Sequence, residues 1–271
     1  MPDRTTTINS PLQQAYRLTR LVLHLAWGAL ITAAYLTWVE PRRKNRIIHR
    51  WSAQLLKILH LHMHVLSTGQ PAHGGRLIVA NHISWLDIWV LNARQRVFFV
   101  SKDDVRNWPL IGWLAHHAGT FFIDRSKRHD TARINAEVTQ ALQQGAQVAL
   151  FPEGTTTDGS QLRPFHTSLL QPAIAAGAPV QPVAISYRHK HGGRNQAPAY
   201  HDDTTLMQSL REVLKCPEII VQVHCLPPID SSGKSRRELA REAERAIASA
   251  LNLPVPHKAP ETPPDLPAAP H

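Results

Sequence analysis

Between Leu21 and Val39 the chain reads LVLHLAWGALITAAYLTWV, without a formal charge. At about 1.5 Å per residue, a helix of that length about spans a hydrocarbon core of ~30 Å, so the segment is expected to be embedded in a membrane. It is long for the apolar part of a cleaved leader. No small-x-small cleavage site follows it, and Pro41-Arg42-Arg43-Lys44 comes next. Arg42, Arg43, Lys44, Arg46 and Arg50 outnumber Arg4, Arg17 and Arg20 on the other side. The rest of the chain is therefore expected to face the cytoplasm at the inner membrane. His24 and Gly28 weaken the run, which leaves a spanning helix and a helix held in one leaflet both open.

Downstream, Ile48, Trp51, Leu55 and Ile58 recur at helical spacing with Arg50, Gln54 and Lys57 between them. This is an amphipathic helix with a basic face. The stripe does not say whether it packs on lipid or on protein. Lys and Arg number 30 against 20 Asp and Glu, a formal charge of +10, and charged residues make up 18% of the chain. The first figure asks for an anionic partner. The second lies below the ~25% usual in soluble domains. Charge clustered beside an apolar run suits anionic lipid better than nucleic acid, for which the chain shows no recognition module. Cys216 and Cys225 are the only cysteines, too few for a disulfide framework and expected as reduced thiols.

Beyond about residue 66 short β-branched and aromatic runs alternate with longer helical ones, the pattern of an α/β layer fold. The strand candidates are Arg76–Ala80, Val97–Ser101, Thr120–Asp124, Gln147–Phe151, Gln181–Tyr187 and Glu218–Leu226. Helices are expected over Ser84–Arg94, Pro109–His117, Ser126–Gln143, Thr167–Ala176, Thr204–Leu214 and Ser235–Asn252, the last opened by a Ser235/Glu238 capping box. Three regions follow: a membrane-embedded and amphipathic helical region over 1–66, an α/β domain over 67–253 and a Pro-rich tail over 254–271 expected to be disordered.

The first strand of the domain, RLIVA, runs into Asn81-His82-Ile83-Ser84-Trp85-Leu86-Asp87, and ligands of open α/β sheets gather at the carboxyl ends of strands. If Ser84 caps the next helix, the Asp87 carboxylate points back to the turn that carries His82. It would accept one imidazole N–H and leave the other nitrogen as a base. Ser84-x-x-Asp87 is equally a capping box with Ile83 and Ile88 as its hydrophobic staple, a purely structural use. Two further blocks end in groups suited to a ligand: Gly119-Thr120-Phe121-Phe122-Ile123-Asp124-Arg125, with an arginine fork for phosphate or carboxylate, and Phe151-Pro152-Glu153-Gly154-Thr155; a third, Val180-Gln181-Pro182-Val183-Ala184-Ile185, reads by itself only as a buried strand.

In this order on successive strands, the four blocks resemble the glycerolipid acyltransferase family, the H-x-x-x-x-D enzymes that include 1-acyl-sn-glycerol-3-phosphate acyltransferases. The resemblance covers roughly residues 75 to 190. It implies a mixed, mostly parallel sheet flanked by helices and preceded by N-terminal membrane-associated helices. It also implies an O-acyltransferase that moves a fatty acyl group from acyl-CoA or acyl carrier protein to the free hydroxyl of a lysolipid. The first acceptor it suggests is 1-acyl-sn-glycerol-3-phosphate, giving phosphatidic acid in phospholipid biosynthesis. By the same resemblance His82 is the general base and Asp87 orients it, Arg125 holds the anionic head group, and Glu153, Gly154 and Thr155 shape the acceptor pocket. Asn81 and Ser84 complete the block around the histidine, and Lys102 is a further anion contact. Neither cofactor nor metal is implied.

One departure bears on the acceptor. Many phosphatidate-forming members carry arginine after Glu-Gly-Thr, whereas this chain has Thr156; the next arginine, Arg163, or else His166, is the candidate to take its place against the head group. Threonine cannot make the bidentate contact of an arginine. Some relatives with this Thr-Thr pattern look like lyso-ornithine lipid acyltransferases, so that acceptor stands as the alternative, with a non-catalytic lipid-binding protein behind it. His60, His62 and His64 alternate with apolar residues, a spacing that would put three potential zinc ligands on one strand face. No cysteine or carboxylate ligand stands near them.

Overall fold

The run Arg76–Ala80 is buried along its whole length, as a strand covered by helices on both faces must be. It is the centre of a seven-stranded sheet. The strands, in chain order, are β1 (Leu61–Ser67), β2 (Arg76–Ala80), β3 (Phe98–Lys102), β4 (Phe121–Ile123), β5 (Gln147–Leu150), β6 (Val180–Arg188) and β7 (Ile219–Cys225). Their spatial order is β1-β7-β6-β2-β5-β3-β4. The strands β2 to β6 run parallel to one another, β7 is antiparallel to β6, and β1 is parallel to β7. The computed structural model describes residues 8–36, 38–67, 74–108, 110–124 and 128–256. Arg125, Lys127 and tail residues 257–271 lie outside these.

The helices are α1 (Pro11–Ile31), prolonged by a π-helical turn Thr32–Leu36, then α2 (Pro41–Ile58), α3 (Asp87–Arg94), α4 (Ile111–His117), α5 (Arg128–Gln143), α6 (Gln171–Ala176), α7 (Leu206–Lys215) and α8 (Arg236–Leu251). The sheet separates two cores. On one face Leu55, Leu86, Val90 and Val213 of the α2, α3 and α7 layer meet Ile78, Ile185 and Val221. On the other, Val138, Ala173, Leu239 and Ile247 of α5, α6 and α8 meet Leu77, Val79 and Ala184.

Most boundaries follow the sequence pattern, and the departures have local causes. The helix expected from Ser84 starts at Asp87, because the Asp87 carboxylate takes the N–H groups of Ile83 and Ser84 and keeps both outside the helix. The helix expected over Thr167–Ala176 opens as a 3-10 turn over Thr167–Leu170 before α6. The α8 capping box forms as read, with Ser235 Oγ accepting from Glu238 N and Glu238 Oε2 from Ser235 N. The strand β1, grouped by sequence with the N-terminal helices, is hydrogen-bonded into the sheet edge. His60 precedes β1 at φ 57°, its ring beside Arg17 and the Pro217 carbonyl. The three histidines therefore do not share one strand face.

The stripe of α2 is buried against protein: Ile48, Leu55, Leu56 and Ile58 are covered, and α2 packs along α3. Its membrane-surface reading gives way to core packing. By contrast α1 is covered along one line only, Arg17, Leu21, His24 and Gly28. Trp51 of α2 stacks on His24 at 5.2 Å, and a Cβ on Gly28 would stand 2.3 Å from the Trp51 ring. The two residues that weaken the apolar run are thus the seat of α2. The other faces of α1 expose Leu12, Tyr16, Leu23, Trp27 and Leu30. Helix Pro11–Leu36 is long and apolar enough to cross a membrane.

Candidate active site

Because β2, β3, β4, β5 and β6 are parallel, their carboxyl ends open on one edge of the sheet. His82 follows β2 there, Lys102 ends β3, Glu153 follows β5 and Arg188 ends β6.

The His82 ring is turned so that Nδ1 lies 2.8 Å from Asp87 Oδ2. A carboxylate only accepts, so Nδ1 carries the proton and Nε2 keeps its lone pair. Asp87 is wholly buried, and its charge is held by four donors. Oδ2 takes His82 Nδ1–H and the N–H groups of Ile83 (2.8 Å) and Ser84 (2.9 Å), while Oδ1 takes the Tyr187 hydroxyl at 2.7 Å. A buried anion with this many donors is a stable partner for an imidazolium. Burial, reinforced by the Asp87 charge, pushes the Tyr187 phenol well above its ordinary value, so it remains a donor. The His82 ring lies flat on Phe151, centroids 3.9 Å apart at 11°, and Phe151 in turn stacks on Phe99. Its orientation is thus set by a hydrogen bond at one end and an aromatic face along one side.

The backbone of the His82 turn is gripped by the segment after β5. His82 N–H donates to Glu153 Oε1 at 2.8 Å, and His82 O accepts from Thr157 N at 2.9 Å. Glu153 Oε2 accepts from Arg163 N at 2.8 Å, so this buried carboxyl staples three segments. Burial raises it to about 7, against the opposing N–H bonds of Arg163 and His82. Gly154 turns at φ 74°, a conformation that favours glycine, and Thr155 is exposed beside it.

Asn81 and Ser84 are buried and face inward. The Asn81 amide both donates to Ile185 O and accepts from Ile185 N, tying the end of β2 to β6. Ser84 Oγ accepts from Leu86 N. Both hold the turn in place. Lys102 and the Arg163 side chain are exposed at the same sheet edge, and Arg125 is outside the described residues. Tyr187 went unnoticed in the sequence, where it is one more β6 residue 100 positions from its partner. Thr156 is the other surprise: its hydroxyl donates to Tyr200 O. Where the family resemblance leads to the expectation of an arginine, this chain places a tie to the loop after β6. Among the described residues no group of three or more His, Cys, Asp or Glu is placed to hold a metal.

A family model described as Acyltransferase matches residues 63–186. The chain is 43% identical over 213 residues to the lyso-ornithine lipid O-acyltransferase of Pseudomonas aeruginosa, which spans 79% of this chain and 81% of the relative. The chain belongs to the lysolipid acyltransferase family. This acyltransferase is also 34% identical over 215 residues to the 1-acyl-sn-glycerol-3-phosphate acyltransferase of Neisseria meningitidis, spanning 78% of this chain and 83% of that one. Its fold matches the crystal structure of the 1-acyl-sn-glycerophosphate acyltransferase of Thermotoga maritima, with a TM-score of 0.58 at 20% identity over 87% of this chain and 96% of that one. The acyltransferase thus has the mixed, mostly parallel sheet expected from its motifs.

Proposed function

We propose that this acyltransferase moves a fatty acyl group from an acyl-CoA or acyl carrier protein thioester to the free hydroxyl of a lysolipid, with His82 as general base and Asp87 as the group that orients it. The observation that carries the reading is the contact between His82 Nδ1 and the buried Asp87 carboxylate. His82 Nε2 takes the hydroxyl proton as the acceptor oxygen attacks the thioester carbonyl. The new C–O bond forms, the C–S bond breaks, and the imidazolium, held by Asp87, returns its proton to the departing sulfur. Neither a covalent acyl-enzyme nor a cofactor is needed.

The acceptor is a choice between two lysolipids. Lysophosphatidate, giving phosphatidic acid, is the first expectation from the motifs, and the Neisseria relative supports it. Thr156 favours the lyso-ornithine lipid, because a short side chain tied to Tyr200 O cannot grip a phosphate as an arginine would, and the Pseudomonas relative acts on that class. The enzyme works at the cytoplasmic face of the inner membrane in this reading. The exposed apolar faces of α1 meet lipid, and the basic residues of α2 meet anionic head groups.

The test is transfer by the purified protein in detergent from both donors to lysophosphatidate and lyso-ornithine lipid. Diacylated product from lyso-ornithine lipid at the higher kcat/KM is expected. A preference for lysophosphatidate would reverse the choice of acceptor, and the absence of product from every pair would remove the enzymatic reading.

A further inference from the structure

A cavity of about 300 Å³ opens at the carboxyl end of β6, lined by Ser186, Arg188, Arg194, Gly159 and the end of α8 at Leu251 and Asn252. Of its lining only Tyr187, the donor to Asp87, takes part in the arrangement described above, and its walls are built onto the turn that carries His82. A Cβ on Gly159 would stand 3.0 Å from Ile83 Cδ1, so the loop that forms one wall rests on the residue following His82. Arg194 comes to the cavity from the loop after β6, HKHGGRNQAPAYHDD, which is rich in cationic and titratable side chains. The loop is fastened at both ends: Asn195 N donates to Tyr187 O, and Tyr200 N donates to Ile83 O, each at 2.9 Å. The Thr156 hydroxyl bonds the carbonyl of the same Tyr200. Asn195 is buried, so the base of Arg194 is fixed while its side chain stays in solvent.

The charges in this cavity have a pattern. Arg188 and Arg194 both line this open cavity, and two cationic side chains on one such surface favour an anion between them. Asp158 stands beside Gly159, its carboxyl bonded by Ser160. It is pushed below its usual range first by those hydrogen bonds and then by the charges of His201 and Arg194. The cavity therefore offers two cations and, at its rim, one anion.

We propose that this cavity receives the charged head group of the acceptor lysolipid, with Arg188 and Arg194 binding its carboxylate or phosphate oxygens and Asp158 favouring a head group that also carries an ammonium. The inference rests on the lysolipid acyl transfer proposed above and deepens it. The arginine absent at position 156 is replaced from a different element: Thr156 holds the β6 loop in place, and that loop supplies the cation.

The experiment measures kcat and KM for both lysolipids and for the acyl donor in Arg188→Ala, Arg194→Ala, the double variant and Asp158→Asn, alongside thermal unfolding. Charge-assisted contacts of this kind are worth about tenfold or more in binding. Each arginine variant is therefore expected to raise the acceptor KM by about tenfold, the double variant further, with donor KM and unfolding temperature held and Arg194→Lys recovering part of the loss. Asp158→Asn is expected to weaken only the acceptor that bears an ammonium. Loss confined to lysophosphatidate would assign the cavity to phosphate, and loss confined to lyso-ornithine lipid to carboxylate, either outcome supporting the site. An unchanged acceptor KM in the double variant, or an equal rise for donor and acceptor, overturns it while leaving acyl transfer intact. No transfer by the unaltered protein to either lysolipid would overturn the function and the head-group site together.

Discussion

Asp87 fills both roles that its place in the sequence allows. As a cap it accepts the N–H groups of Ile83 and Ser84, and as an orienting group it accepts Nδ1–H of His82. The two roles separate in an experiment. A lost cap costs ~1 kcal/mol of stability, whereas an imidazolium deprived of its anionic partner slows the proton transfer by about 10²- to 10⁴-fold. Asp87→Asn is expected to show the second effect in kcat with only a modest shift in unfolding temperature. Tyr187→Phe removes one donor from the same buried carboxylate, and urea unfolding should register a loss of ~1–3 kcal/mol, with a smaller effect on kcat than Asp87→Asn. Glu153 makes a pH prediction. Its carboxyl stands near 7 in the fold against an ordinary ~4.3 in an unfolded chain. As pH rises the unfolded chain releases this proton first, so the stability the group adds is full below about 4 and is lost by about 7, a change on the order of 3 kcal/mol. Unfolding midpoints across that window should fall in the native protein, and the slope should flatten in Glu153→Gln. His82 and Asp87 were legible because only four residues separate them and one turn joins them. Tyr187, Asn195 and Tyr200 were not, since nothing local marks a strand or loop residue whose partner lies far along the chain.

At the scale of elements, the two apolar N-terminal helices had opposite outcomes. The stripe of α2 is absorbed by α3 and the sheet. The apolar run of α1 is only partly covered, and Leu23, Trp27 and Leu30 remain in the open. Periodicity reports that a face is apolar and is silent on what covers it, which is why the covering of α2 by protein was not legible in the sequence. Gly28 illustrates the same limit: inside an apolar run it reads as a weak point, and in the structure it is the recess that admits Trp51. The exposed face of α1 should carry membrane attachment. Leu23→Lys, Trp27→Lys and Leu30→Lys combined are expected to move most of the protein from sedimenting vesicles of anionic lipid to the supernatant, with the circular dichroism spectrum retained. Unchanged sedimentation would show that lipid is held elsewhere.

For the whole molecule, the decisive feature is the parallel set β2 to β6, which turns strand ends scattered from Ala80 to Arg188 into one working edge. The alternation of strand and helix made an α/β sheet legible, and the ordered blocks placed its chemistry. The strand order was not legible, because β2 lies between β5 and β6 through contacts that only the assembled sheet defines. The edge strand β1 shows the same: its alternation marked a strand, and its partner β7 is the last strand of the chain. Acyl transfer at this edge through His82 is tested by the rate of diacylated product formation by His82→Ala beside the unaltered protein, with lyso-ornithine lipid and lysophosphatidate as acceptors and unfolding temperature measured in parallel. A folded variant whose turnover falls by at least about 10²-fold is expected, and a folded variant that keeps its rate would rule out His82 as the base.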